Sequence, residues 1–223
     1  MWTASAAVAL LSEGSAGNAR EVAPAPRRVT QIMLIVQDRT KLPALALTVG
    51  HSNRTLEEFL TLLRAHRVTL VVDVRKMPRS RHNPQFNRDT LPQALCEAGI
   101  DYVHISGLGG LRRREPDSPN TGWRNASFQA YADYMLTPEF EKGLQELLEQ
   151  ACEQTAVLMC AEAVPWRCHR SLIADALVAR DVSVMHILSE SRIQPHALRP
   201  WAHVEGTRIT YPPPQAEEQG QRT

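Results

Sequence analysis

Leu70-Val71-Val72-Asp73-Val74-Arg75 is an aliphatic, mostly β-branched run broken once by a carboxylate and closed by a guanidinium. A run this short reads as a strand buried on both faces, as parallel sheets require, and not as a helix. Four similar runs surround it: Leu45 to Val49, Tyr102 to Ile105, Ala156 to Leu158 with Met159 and Cys160, and Val182 to Leu188. Between them lie stretches with apolar residues at helical spacing. Thr55 caps the first, with Glu58 closing a capping box, and Leu56, Phe59, Leu60 and Leu63 share one face. Asp89 or Thr90 opens the second, with Pro92 in its first turn and Gly99 as its stop. The third carries Phe128, Tyr131, Ala132 and Met135; the fourth starts at Thr137-Pro138-Glu139 and buries Phe140, Leu144, Leu147 and Leu148; the fifth runs from about Cys168 to Arg180. Strands alternating with helices predict right-handed crossovers and an α/β fold, a single domain with a mainly parallel five-stranded sheet and helices on both faces.

The 223-residue chain is 43% hydrophobic and 22% charged, which excludes collagen-like, coiled-coil and wholly disordered classes. With 25 basic against 24 acidic residues, global charge selects no polyanion, so any such partner must meet a local patch. Four cysteines are too few for a disulfide scaffold and point to a reducing, cytoplasmic setting. No run of about 18 apolar residues occurs, so no membrane partner is expected. Residues 1–44 read as a loosely structured N-terminal extension, with Met33 an alternative start. Residues 45–211 form the α/β domain, and 212–223, opening on Pro212-Pro213-Pro214, a disordered C-terminal tail.

Open α/β sheets bind ligands beyond the carboxyl ends of their strands. Unusual polar residues stand there in this chain: Gly50-His51-Ser52-Asn53, then Asp73 and Arg75, then Gly107-Leu108-Gly109-Gly110, then Cys160-Ala161-Glu162. Asp73 lies within an apolar run, where an unpaired carboxylate is costly, so it needs a partner. Together with Thr48-Val49, Val72, Val74, Pro78 and Cys168-His169-Arg170, these blocks resemble those of domain-of-unknown-function family 488, intracellular proteins mostly of bacteria and archaea. The likeness spans about 45 to 190. It implies an α/β fold and carries no assigned reaction.

The residues themselves suggest several chemistries. A strand ending in Cys160 and a helix starting near Cys168 put thiols close to a helix N-terminus, which favours anions and thiolates. That order is similar to rhodanese-like sulfurtransferases and Cys-loop phosphatases, although six residues separate Cys160 from Arg167 and Pro165 removes an amide. Cys168, beside His169, is the better candidate for a perturbed thiol, while Cys160 also reads as a small buried hydrophobe. If both lie on a helix, Cys168 and His169 diverge by about 100 degrees and cannot meet at one atom. Asp73 or Glu162 is a candidate general base, and Arg75 and Arg170 candidate anion clamps, unless Glu162 pairs with Arg170 itself. His51, Ser52, Gly109, Gly110 and His169 complete the candidate ligand-binding set.

His51, Cys160, Glu162, Cys168 and His169 are residue types that bind zinc or iron, but neither a Cys-x-x-Cys nor a His-x-x-x-His pair is present and seven residues separate Cys160 from Cys168, so no metal is expected. The cofactor and the oligomeric state are unknown at this level. Arg75, Lys76, Arg79, Arg81 and Arg88 form an acid-free basic loop, and Arg112-Arg113-Arg114 adds to it. With Phe86, Trp123 and Trp166 as stacking partners, these cations give an alternative nucleic-acid-binding reading in which Arg79, Arg81, Arg112 and Arg113 contact phosphates. The principal expectation is an enzyme or ligand-binding domain for an anionic, nucleotide-like small molecule, with a non-catalytic scaffold as the bland alternative.

Overall fold

The computed structural model describes residues 45–213; the expected extension 1–44 and residues 214–223 of the expected tail lie outside the described residues. In chain order the elements are β1 (Leu45–Gly50), α1 (Leu56–Ala65), β2 (Leu70–Asp73), α2 (Leu91–Glu97), β3 (Asp101–His104), α3 (Ala126–Tyr134), α4 (Pro138–Ala151), β4 (Ala156–Cys160), α5 (Arg170–Val178), β5 (Ser183–Ile187), β6 (Ile193–Pro195), β7 (His203–Glu205) and β8 (Arg208–Thr210). The main sheet runs β3-β2-β4-β1-β5-β6, and β7 and β8 form a separate hairpin. β1 to β5 pair in parallel, and β6 joins β5 antiparallel. The sheet therefore has six strands where the sequence predicts five. The added strand is three residues long, exposed throughout and ends in Pro195, which only an edge tolerates, so it leaves no strand pattern to read.

Local chemistry sets the helix ends. Thr55 and Glu58 form the reciprocal capping box at α1, and Thr137 accepts from the Phe140 amide at α4, which has Pro138 in its first turn. Asn125 caps α3 by accepting from Ser127 and Phe128, and Gly99 follows α2 at φ +73. α5 begins at Arg170, two residues later than predicted, because Cys168 is extended at φ −128, ψ 143.

Two cores flank the sheet. Leu47, Val49, Val71, Val157 and Met159 pack with Phe59, Leu62 and Leu63 of α1 and Leu91 and Leu95 of α2. Ala46, Leu70, Val72, Leu158 and Cys160 pack on the other side with α3, α4 and α5 through Tyr131, Phe140, Leu144 and Ile173. The alternation along each strand is the pleat, successive side chains pointing to opposite faces. Chain direction explains the division of helices. From β1 the chain moves towards β3, carrying α1 and α2 on one face, and then returns through β4 to β5, carrying α3 to α5 on the other. Adjacent β1 and β4 thus send their following loops to opposite faces, which opens a crevice between them.

A buried polar chain ties the α5 face to β1, β5 and the end of the domain. Thr48 donates to His186 (2.6 Å), His186 to His196 (3.0 Å) and His196 to Asp175 (2.7 Å), while the Tyr211 hydroxyl donates to the other Asp175 oxygen (2.6 Å). Asp175 and Tyr211 are fully buried, so a lost donor there is not replaced by water. Tyr211→Phe is expected to cost about 1–3 kcal/mol. Urea unfolding checks it, and an unchanged midpoint would show that this bond contributes nothing net.

Candidate functional site

A cleft of ≈ 530 Å³ opens at the crevice between β1 and β4, lined by His51 and Ser52 after β1, Arg75, Arg79 and Asn83 after β2, and Glu162 and Arg167 after β4. Backbone bonds His51 N to Cys160 O and Ser52 N to Ala161 O, both 2.9 Å, extend the β1–β4 ladder into its floor. Its charged lining is three guanidinium groups, Arg75, Arg79 and Arg167, and one carboxylate, Glu162. Arg79, Glu162 and Arg167 are exposed.

Beneath this lining lies a rigid ion pair. Asp73 is fully buried and accepts from the Arg75 amide (3.0 Å), Arg75 Nε (2.9 Å), Arg75 Nη2 (2.6 Å) and the Tyr102 hydroxyl (2.8 Å). Arg75 Nη2 also donates to the Phe86 carbonyl (2.7 Å), and Nη1 donates to His51 Nε2 (3.2 Å). Four of the five guanidinium hydrogens are therefore committed. His51 donates from Nδ1 to the Ser52 carbonyl (2.8 Å) and stacks on Phe86 with centroids 4.2 Å apart. With one nitrogen donating and the other accepting from a cation, the ring is held neutral. Its pKa falls to about 4, chiefly through burial. Burial and the Asp73 charge push the Tyr102 hydroxyl well up, keeping it a donor.

This pKa predicts a pH dependence of stability. The unfolded chain binds a proton at His51 below about pH 6.5 that the folded chain refuses until about pH 4, so stability is lost as pH falls through that window. His186, held down to about 3 by burial first and then by His196 and Arg170, adds to the same trend. The urea midpoint should fall between pH 7 and about pH 4.5. A flat midpoint would contradict the buried, neutral assignment.

The thiols stand on the other side of the sheet. Asp73 alternates with Val72 and Val74 and faces the α1–α2 side, whereas Cys160 and Cys168 belong to the α3–α5 core. Because Cys168 is extended and not helical, its side chain and that of His169 meet: Cys160 Sγ and Cys168 Sγ lie 3.9 and 3.8 Å from His169 Nδ1. The ring's Nε2 donates to the Val74 carbonyl (3.0 Å), leaving Nδ1 as a lone pair turned towards the sulfurs. Cys160, not Cys168, is the acidified thiol. It accepts a hydrogen bond from Cys168 and gains from Arg170 and the amides of Glu162 and Ala161, against desolvation. Cys168 is driven up by donating to Cys160 and by its own burial. The helix-start argument for Cys168 fails because α5 begins only at Arg170.

Other expectations need correction. Arg170 is 1% exposed and clamps the loop after β4 by donating to the backbone carbonyls of Glu162 and Ala163 (2.8 Å to the latter), so it neither faces the cleft nor pairs with the Glu162 carboxylate. Gly109 and Gly110 do not line the cleft described above; Gly109 packs on the Lys76 backbone, and its carbonyl accepts from Arg112 Nε (2.8 Å). Arg112 also donates to Gly107 O (3.0 Å) and lies 3.4 Å over the Tyr134 ring, which removes it from the exposed basic set. Phe86 is fully buried and Trp123 is stacked on Phe128, so neither is a platform for a base, whereas Trp166 is 55% exposed. Arg81 and Arg113 are exposed. Arg167 and the supporting roles of Tyr102 and Phe86 were not assigned from the sequence. Only the position of Arg167 within the Cys160–Arg170 loop offered a signal.

Among the described residues no helix is long and apolar enough to cross a membrane. A family model described as "Domain of unknown function DUF488" matches residues 55–177, more than half of the chain. Neither the curated proteins nor the solved structures give a match.

Proposed function

The chain belongs to the DUF488 family, and on that footing we propose that it is an enzyme or ligand-binding domain for a small anionic molecule carrying a phosphate or carboxylate group, held at the carboxyl edge of the sheet. The observation that carries this reading is the cleft at the β1–β4 crevice, where Arg75, Arg79 and Arg167 outnumber Glu162. The Asp73 carboxylate offsets the charge of Arg75, so Arg79 and Arg167 supply the uncompensated cations and Arg75 the remaining Nη1 hydrogen. Met77 and Val164 line the same cleft and suit the flat apolar part of a nucleotide-like ligand. Glu162 is the group placed to move a proton. Asp73 and His51 serve as positioning residues, since each has its acceptor sites committed to partners within the fold.

Calorimetric titration of the full chain with inorganic phosphate and adenosine monophosphate tests the reading. Arg79→Ala and Arg167→Ala should each weaken binding about tenfold, the equivalent of roughly 1.4 kcal/mol. Glu162→Gln should bind the anion as well or better, because it removes a repelling charge. Absence of binding at millimolar probe, or affinity indifferent to both arginines, would end the proposal.

Lys76, Arg79, Arg81 and Arg88, all exposed on one loop, favour a second reading as a nucleic-acid contact. It requires an affinity for single strands that falls steeply with salt, with a log–log slope of about −0.7 per neutralised phosphate. The anion cleft requires only weak salt dependence.

A further inference from the structure

We propose that Cys160, Cys168 and His169 hold a thiophilic divalent metal ion, zinc by ligand type, on the α3–α5 side of the sheet edge. The site goes beyond the anion cleft and stands or falls independently of it. The three donor atoms lie within 4.8 Å of one another, with His169 Nδ1 almost equidistant from the sulfurs at 3.9 and 3.8 Å. A tetrahedral centre with Zn–S of about 2.3 Å and Zn–N of about 2.0 Å sets sulfur–nitrogen edges at ~3.6 Å. The two sulfur–nitrogen separations need to contract by only a few tenths of an ångström to meet that geometry.

The surroundings are those a metal-bound imidazole needs. His169 Nε2 donates to the Val74 carbonyl, which fixes the tautomer that presents Nδ1 as a lone pair. Tyr131, fully buried, packs against the same ring with centroids 5.0 Å apart and limits its rotation. A disulfide would join the two sulfurs and make no use of this oriented nitrogen. Charge also fits: two thiolates neutralise a divalent cation, so the loaded centre adds no net charge to the interior. Three protein ligands leave one tetrahedral position for a water or substrate atom. Gly110 keeps space free next to Nδ1, since a Cβ there would stand 3.2 Å from that atom.

Spacing alone counted against this site. Cys160 and Cys168 come from the two ends of the loop between β4 and α5, and only the extended backbone at Cys168 brings adjacent Cys168 and His169 onto one centre.

Cobalt titration of the reduced full-length protein, followed by competition with zinc, is the test. One equivalent of Co²⁺ should bind with thiolate-to-cobalt charge-transfer absorption and tetrahedral visible bands, and zinc should displace it. Cys160→Ser, Cys168→Ser and His169→Gln should each weaken affinity at least about 100-fold, while Cys96→Ser, an exposed cysteine outside the cluster, should leave it unchanged. Should a ligand variant fail to fold, X-ray absorption of the zinc-loaded wild type decides, with two sulfurs at about 2.3 Å and one nitrogen at about 2.0 Å expected. Failure of the reduced wild type to take up cobalt or zinc overturns the proposal, as does a sulfur-free coordination shell. Recovery of a Cys160–Cys168 disulfide with no metal uptake after reduction overturns it equally.

Discussion

Asp73→Asn should destabilise the folded chain by about 3–5 kcal/mol, the range for removing one member of a buried ion pair. The carboxylate is fully buried and takes four donors, three from Arg75 and one from Tyr102. An amide of the same shape keeps only one acceptor oxygen and turns its NH₂ against existing donors. It also leaves the Arg75 guanidinium, 7% exposed, without its counter-charge. Because Arg75 also holds His51 Nε2 and the Phe86 carbonyl, the damage should spread to the loops after β1 and β2. Urea unfolding measures it, and a loss under about 1 kcal/mol would show that water or a rearranged side chain replaces the carboxylate. Asp73→Leu combined with Arg75→Met should be less destabilised than Asp73→Asn, since no lone buried charge remains.

Gly50→Ala should be nearly as severe. A Cβ at that position would lie 1.8 Å from the Glu162 carbonyl oxygen, 2.6 Å from its carbon and 2.9 Å from Ala163 Cα. All three are backbone atoms, so no side chain can swing aside. Relief requires β1 to part from the loop after β4, breaking the His51–Cys160 and Ser52–Ala161 backbone bonds that form the floor of the cleft. Overpacking against backbone should cost about 3 kcal/mol, the upper end of the usual range, a fall in Tm of about 6–12 °C for a domain of this size. A variant melting within about 2 °C of wild type would mean that the two loops are not held together as described. Anion binding should weaken with stability, because the displaced loop after β4 supplies Arg167.

Short-range signals carried much of this architecture. The capping box of Thr55 and Glu58, the proline after Thr137 and the aliphatic runs at 70–74 and 156–160 are each specified by neighbours within one or two turns, so they can be read from the chain. The convergence of His51, Arg75 and Glu162 at one edge was legible for a related reason, since parallel strands joined by helical crossovers place all their carboxyl ends together, whereas Asp73 and Arg170, expected around the same cleft, do not line it. The Thr48–His186–His196–Asp175 chain was not legible, because its members come from different elements and follow no period.

The amino-acid order by itself determined the alternation of strands and helices, and which residues stand at the strand ends, since both follow from local periodicity and caps. Only the tertiary structure decided which face each of those residues takes. β4 inserts between β1 and β2, pairing residues about a hundred positions apart, and that long-range pairing separates Asp73, Arg75 and His51 from Cys160, Cys168 and His169. No local pattern encodes such a pairing, because it is selected by how the two apolar faces of the sheet are covered at once.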